Sequence, residues 1–385
     1  MVDERICILG IETSCDETAA AVVASGERLL SNAVYSQIAA HQPYGGVVPE
    51  LASREHLRAI VPVVRQALQE SGQSYESIDA IAVTQGPGLA GALLVGISYA
   101  KALAFALSKP LITVNHLEGH IHAVLLEERQ KAAEKNSGFQ FEFPVLSLVV
   151  SGGHTHLFLA AQCDAAWVYE TIGRTRDDAA GEAYDKVAKL LALGYPGGPI
   201  IDALSRHGNP HAVRFGPAQI KHFNRGVPRE KQTAHDFSYS GIKTAVLRYV
   251  ELEGMEDSIA IRRQALSGIP HPKTNDVLPL CDQKTLDLAA SFQRAVVEDL
   301  VEKTLEAARE REARTLFVTG GVAANSLLRE TFEAEAAKDG IPVYFPSRKL
   351  STDNAAMIAA AAYPKYLAQN FAEAEFSAEA GLALR

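Results

Sequence analysis

The sequence predicts an α/β protein built as two duplicated lobes around a cleft. Three observations carry this. The chain has 385 residues, a length that suits two domains or two lobes, each with its own apolar core. A buried strand, a small-residue turn and a second strand occur near residue 6 and again near residue 145, so each half opens on a β-hairpin with a polar tip. Around these hairpins the apolar period changes to that of helices.

The elements follow in order. Residues 5–24 read as a strand at 6–11, a polar turn at 12–18 and a strand at 19–23. Residues 52–71 are amphipathic, Gly72 can cap their C-terminus, and Pro62 is expected to kink the helix or mark its true start. The segment from Ala90 to Leu107 is apolar nearly all round and is expected to be buried. Lys101 and two glycines in it argue against a membrane span. The Lys- and Glu-rich residues 127–138 read as a surface loop or a fraying helix end. The second hairpin has strands at 145–150 and 156–160 around the turn 151–155. Helical patterns cover 178–193 and 286–309. Residues 253–283 have prolines and no sustained period, and read as an insertion-like loop region. A strand at 316–318, the Gly320-Gly321 turn and a helix from about Ala323 come next. The alanine-rich stretch 354–369 reads as a helix with Ser351 or Thr352 as N-cap. Residues 371–385 read as a loose tail.

Composition narrows the function classes. A net charge of −9 disfavours a generic nucleic-acid binder, so any polyanion contact needs a local basic patch or a basic partner. Lys221, Arg225, Arg229 and Lys231 form one such stretch, readable as a polyanion-facing surface or as a solvated loop. Four cysteines without close pairing (Cys7, Cys15, Cys163, Cys281) read as reduced thiols. The acidic N-terminus and its short apolar run do not fit a secretory leader.

The chemistry concentrates in residues 115–122. His116 and His120 stand four apart, which on a helix places both imidazoles on one face. That is half of a site for a borderline divalent metal such as zinc or iron. Glu118 follows the first histidine by two positions. At roughly 100° per residue it points away from the pair, unlike the glutamate of a zinc peptidase. A third ligand must come from far along the chain. Asp353 is the candidate, although an acid at a helix start has an ordinary capping role as well.

Three turns could present bare N–H groups to phosphate oxygens: Ser151-Gly152-Gly153, Pro196-Gly-Gly-Pro199 and Thr319-Gly320-Gly321. Singly, each is also readable as a tight connection. Glu12, Asp16 and Glu17 crowd the first hairpin tip. Asp185 lies about two turns into its helix, where capping no longer explains it, and Asp202 follows the Pro-Gly-Gly-Pro turn. His154 and His156 share a face of a strand and read as satisfied core or turn histidines. There is no Walker A loop, no dinucleotide fingerprint and no nucleophile elbow, so covalent catalysis is not suggested.

These residues carry a resemblance. Gly10-Ile-Glu-Thr-Ser-Cys-Asp-Glu-Thr18, Asn115-His-Leu-Glu-Gly-His120, Val150-Ser-Gly-Gly-His-Thr155, Asp178-Ala-Ala-Gly-Glu-Ala-Tyr-Asp-Lys186, Tyr195-Pro-Gly-Gly-Pro199 and Gly320-Gly-Val-Ala-Ala-Asn325 run in family order, with further matches up to residue 356. The chain resembles the bacterial tRNA N6-adenosine threonylcarbamoyltransferases, of the universal family once named O-sialoglycoprotein endopeptidase. The resemblance implies the two-lobed fold of actin, Hsp70 and sugar kinases. One lobe would span 1–138, completed by a helix at about 353–370, and the other 139–352. It implies one divalent metal, iron or sometimes zinc, on His116, His120 and Asp353. It implies a ligand pocket at Val149, Val150, Ser151, Gly152, Gly153, Asp185, Gly198, Asp202 and Asn325. The implied reaction moves threonylcarbamoyl from threonylcarbamoyl-AMP to N6 of adenosine 37 in tRNAs reading codons that begin with A. Asp16 or Glu17 would steer or deprotonate the amine. A paralogous partner subunit, a P-loop ATPase subunit and a cytoplasmic location, with no membrane, are implied as well. Residues 253–283 match no family motif. The competing readings are another carbamoyl transferase or kinase on this fold, a metallopeptidase, and an inactive scaffold.

Overall fold

The computed structural model describes residues 6–163, 166–216, 235–269, 272–373 and 375–385. The basic stretch Lys221, Arg225, Arg229 and Lys231 lies outside them.

Apolar runs bounded by turns become two five-stranded sheets. The first contains β1 (Cys7–Glu12), β2 (Glu17–Ala24), β3 (Arg28–Ser36), β4 (Ala80–Gly86) and β5 (Leu111–Asn115), in the order β3-β2-β1-β4-β5. The second contains β6 (Val145–Val150), β7 (Thr155–Cys163), β8 (Ala166–Arg174), β9 (Thr315–Thr319) and β10 (Val343–Tyr344). From its matching edge it runs β8-β7-β6-β9-β10. In each sheet the hairpin strands pair antiparallel and the last two join in parallel. The same path is drawn twice, so the duplication read from the hairpins extends to whole sheets. Strands β1 and β6 are buried along their whole length, as expected of central strands covered on both faces.

The helices are α1 (Ile38–His41), α2 (Pro49–Ser71), α3 (Ala90–Leu107), α4 (His116–Glu134), α5 (Ala180–Leu190), α6 (Gly197–Ser205), α7 (Ser240–Leu252), α8 (Glu256–Leu266), α9 (Thr274–Val277), α10 (Gln283–Glu310), α11 (Ser326–Lys338), α12 (Arg348–Ser351) and α13 (Ala355–Leu367). Several differ from expectation. Pro49, not Pro62, marks the start of α2, following the extended Val48, because a proline at the first helical position loses no hydrogen bond. Helix α13 is capped by Asn354, whose side chain accepts from the Met357 N–H, rather than by Ser351 or Thr352. Helix α11 begins only after Asn325, which caps it in the same way.

Three larger corrections concern burial. Helix α3 has the length and apolarity of a membrane span. Here it packs on β4 and α2 through Ala92, Leu93, Gly96, Ile97, Ala100 and Ala104. Its other face is open, with Phe105 88% and Leu94 56% exposed. The stretch 253–283 is not a loop: it forms α8 and α9 and buries Met255, Ile259 and Val277. Arg262 anchors it, fully buried, donating to the Leu191 carbonyl at 2.5 Å and to Thr285 Oγ1 at 2.9 Å. That ties α8 to the end of α5 and to α10. Residues 371–385 are not loose either. Ala372 N–H donates to the Leu111 carbonyl at 2.8 Å, and the segment continues over the first sheet.

Helix α13 lies against β1, β2, β4, β5 and α4. Two glycines permit the approach. A Cβ on Gly10 would stand 2.3 Å from the Ala355 carbonyl oxygen, and one on Gly119 would stand 2.9 Å from Ile358 Cδ1. Helix α4 also serves the second sheet. Its Leu117, Ile121, Val124 and Leu125 join Val145, Val149, Phe158 and Phe317 in one apolar cluster, each side chain contributing about 2 kcal/mol by burial. Helix α4 therefore joins the two sheets.

Candidate metal centre and ligand cradle

Strand β5 ends at Asn115 and α4 starts at His116, so the histidine pair opens a helix at the carboxyl end of a parallel strand. His120 is fully buried, and among the described residues neither of its ring nitrogens has a hydrogen-bond partner. Burying two unpaired polar atoms is costly, which marks them as groups shaped for something else. Asp353, just before α13, supplies that company. Its Oδ1 lies 3.2 Å from His120 Nε2 and 3.6 Å from His116 Nε2. One ligand atom from each of the three residues falls within 4.8 Å of the others. Two imidazoles and a carboxylate so placed can hold a divalent cation with positions left open.

The sequence reading missed what stands behind this trio. Glu12, at the end of β1, is fully buried and accepts at its two oxygens. Ser14 N–H donates to Oε1 at 2.5 Å and Thr84 Oγ1 to Oε2 at 2.6 Å. Glu12 Oε2 lies 3.1 Å from His116 Nδ1, and Ser14 Oγ lies 3.1 Å from the same nitrogen. A carboxylate behind one ring nitrogen fixes the tautomer and aims the other nitrogen at the cluster. Burial opposes ionisation of Glu12, but the His116 charge and hydrogen bonds prevail and lower its pKa. Burial likewise disfavours charge on His116, yet Asp353 and Glu12 outweigh it and push its pKa up to about 9. Burial lowers the pKa of His120. Asp353 is desolvated, but the two histidines hold its carboxyl well below the usual carboxylate range. Replacing Glu12 by glutamine is expected to weaken divalent-cation affinity about 10–100-fold in a chelator competition titration. Unchanged affinity would remove Glu12 from the centre.

Glu118 points away from the pair, as its spacing predicts. Its Oε2 accepts from Lys365 Nζ of α13 at 2.8 Å. His154 is a turn histidine, its carbonyl accepting from Ser151 N–H at 2.7 Å. Its ring centroid stands 5.9 Å from that of His116, and burial together with the His116 charge lowers its pKa to about 3. It therefore borders the centre as a neutral ring.

The glycine turns form a cradle. Strands β6 and β9 are parallel neighbours, so Ser151-Gly152-Gly153 and Gly320-Gly321 leave the second sheet side by side. Gly320 has φ +96°, and a Cβ there would meet the Val150 carbonyl at 2.4 Å; only glycine fits. Helix α5 starts against the first turn, where Gly181 N–H donates to the Ser151 carbonyl at 3.2 Å. Helix α6 starts against α5, where Asp185 Oδ1 accepts from Gly197 N–H at 2.7 Å. Around Gly152, Gly153, Gly198 and Gly321 a Cβ would meet nothing within 4 Å. These backbone segments are bare and accessible to an anionic ligand.

A family model described as TsaD, tRNA N6-adenosine threonylcarbamoyltransferase, matches residues 28–360. The chain belongs to this family. The protein of that name from Koribacter versatilis is 67% identical over 381 residues, covering 98% of this chain and 99% of the relative. The one from Symbiobacterium thermophilum is 50% identical over 377 residues, covering 98% and 96%. Among solved structures, full-length HypF in its phosphate- and nucleotide-bound form superposes with a TM-score of 0.52 at 12% identity. The match covers 94% of this chain and 46% of that one. This shows a shared fold.

The other family positions are placed as follows. Val149 and Val150 are buried with their side chains in apolar clusters, so a ligand can meet only their backbone. Asp202 accepts from Ser326 N–H at 3.2 Å and Ser326 Oγ at 2.8 Å. Asn325 caps α11 and donates to Gln293 Oε1 at 2.8 Å. Burial raises Asp185 to about 6. Each of these three side chains thus also has a structural duty at a helix start. On the first hairpin, the Asp16 carbonyl accepts from Gln37 N–H at 3.0 Å. Glu17 opens β2; burial, then the charges of Asp16 and Asp353, raise its carboxyl well above the usual range. The glycine doublets and the histidine pair were visible as spacings. Glu12 was visible only as one of three acids at the hairpin tip, because an acid ending a strand has no period that ties it to a distant helix.

Proposed function

We propose that this chain transfers threonylcarbamoyl from threonylcarbamoyl-AMP to N6 of adenosine 37 in tRNAs reading codons that begin with A. The reading is carried by the His116, His120 and Asp353 cluster lying in a family member that also has a bare glycine cradle. His116, His120 and Asp353 would hold one divalent cation, iron or alternatively zinc. When bound, it supplies Lewis-acid polarisation of the acyl oxygens. The amides at Gly152 and Gly153 face the phosphate, while Ser151 N–H donates to the His154 carbonyl at 2.7 Å and holds the turn. Asp185, Asp202 and Asn325, with Gly198 beside them, border the nucleoside part. The adenine amine attacks the carbamoyl carbon, the bond from that carbon to the phosphate oxygen breaks, and AMP leaves. The amine proton passes to Asp16 or Glu17 and then to solvent. No enzyme-bound acyl group is formed.

The partners proposed are tRNA, a paralogous subunit and a P-loop ATPase subunit, in the cytoplasm. Leu57, Val61, Leu94 and Phe105, exposed on the packed pair α2 and α3, offer such a subunit an apolar surface. Glu118, paired with Lys365, has no part in hydrolysis, which counts against a peptidase. The test is nucleoside mass spectrometry of tRNA incubated with the metal-loaded chain, its partner subunits and threonylcarbamoyl-AMP. Threonylcarbamoyladenosine should appear, and only with the chain present. Its absence with folded, loaded protein would overturn the reading.

A further inference from the structure

The C-terminal segment is a clasp across the first sheet. Lys101 Nζ donates to the Phe376 carbonyl at 2.5 Å and sits 4.2 Å from the Phe376 ring centroid. Glu379 N–H donates to the Gln85 carbonyl at 3.0 Å, and Gly88 N–H donates to the Ala380 carbonyl at 3.2 Å. The fit over the Gly86 turn is close: a Cβ on Gly86 would stand 1.9 Å from the Glu379 carbonyl oxygen. The segment then reaches Asn115. Beyond it Leu384, 7% exposed, enters the apolar cluster of Leu117, Ile121, Val145 and Phe317.

Asn115 has two duties in one amide. Its Oδ1 accepts from Leu117 N–H at 2.9 Å, capping α4, and its Nδ2 donates to the Leu382 carbonyl at 3.3 Å. The two bonds together fix the amide's orientation. The next residue is His116. The clasp therefore holds the first turn of α4 from two sides, by a hydrogen bond at Asn115 and by Leu384 packed on Leu117 and Ile121. It supplies no ligand to the cluster.

We propose that Asn115 is a positioning residue: it couples the segment Ser377 to Leu384 to the first turn of α4 and so sets the divalent-cation affinity of His116, His120 and Asp353. This rests on the reading of that cluster as a metal site. Three ligands bind tightly only when their geometry is held before the ion arrives. A helix start with a frayed cap would spread over several arrangements.

Two variants separate the duties. Asn115→Asp keeps the capping oxygen but loses the donor to Leu382. Truncation after Phe376 keeps the cap and removes the clasp. The probe is Co2+, titrated into the metal-free full chain and the variants and followed by its visible absorption. Thermal unfolding of each metal-free protein precedes the titration. Each variant is expected to bind Co2+ about tenfold more weakly, which is 1.4 kcal/mol. The double variant should be no weaker than the truncation alone, since the truncation already removes the Leu382 acceptor that Asn115→Asp gives up. Amide exchange at Leu117 and His120 in the metal-free protein should rise about tenfold in both. Wild-type Co2+ affinity and exchange in folded Asn115→Asp would overturn the proposal, as would additive losses in the double variant. Co2+ binding by wild type that His120→Ala fails to remove would instead defeat the metal reading itself, and the proposal with it.

Discussion

Replacing His120 by alanine is expected to abolish metal binding and to slow acyl transfer by about a thousandfold, while the chain stays folded. The His120 ring is fully buried and its close polar neighbour is Asp353 at 3.2 Å, so its loss disturbs the cluster and leaves the hydrogen bond from Thr319 Oγ1 to its backbone carbonyl in place. The remaining cavity costs on the order of 1–3 kcal/mol. For the cation the cost is different in kind. Without the imidazole, His116 and Asp353 are two ligands where three converged. Lewis-acid stabilisation of several kcal/mol disappears with the ion, and each 1.4 kcal/mol is tenfold in rate. Elemental analysis of anaerobically purified protein, melting curves and single-turnover transfer to tRNA read the three parts separately. A folded His120→Ala protein with full metal content would show that the cluster is not the centre.

Gly10→Ala is expected to destabilise the first sheet strongly. Its Cβ would be placed 2.3 Å from the Ala355 carbonyl oxygen and 2.9 Å from the Ala359 nitrogen. Both are backbone atoms of α13, and neither can rotate away. Overpacking of this kind costs about 3 kcal/mol or more. The relief available is for the start of α13 to move off β1, which carries Asp353 away from the histidines. Stability and metal affinity are therefore expected to fall together, the affinity by at least tenfold. Gly46→Ala is the control, because a Cβ there meets nothing within 4 Å. Equal melting temperature and equal metal content in the two variants would contradict this account.

Much of the site was legible because its parts are local. The four-residue histidine spacing is read on one helix, the glycine doublets on single turns, and the hairpins on alternating runs. Asp353 was legible only as a candidate, since capping explained it equally well until α13 was seen against β1 and α4. Asp185 looked unexplained from its helix position. In the fold it holds the start of α6 through Gly197 N–H, a partner that its own helix pattern could not name. Glu12 and the neutral His154 were invisible as neighbours of the centre, because both act across the space between strands.

The misreadings share one cause. Residues 253–283 looked structureless, but Met255, Ile259 and Val277 find cover on elements far away in the chain, and Arg262 finds its acceptors at Leu191 and Thr285. The tail looked loose because most of its hydrogen bonds go to distant residues, Gln85, Gly88, Leu111 and Asn115. Helix α3 looked fully buried because hydropathy counts apolar side chains but not the area available to cover them.

By itself the sequence determined what short range can encode: the duplicated hairpins, the facing imidazoles, the bare glycine turns and a family-specific order of motifs. These depend on backbone periods and on residues adjacent along the chain. The tertiary structure alone decided that Asp353 meets the histidines, that Glu12 stands behind His116, and that the last residues clasp the start of α4. Those meetings depend on close steric fit between distant segments, at Gly10, Gly119 and Gly86, and no local pattern records which backbone will fill the space a missing side chain leaves.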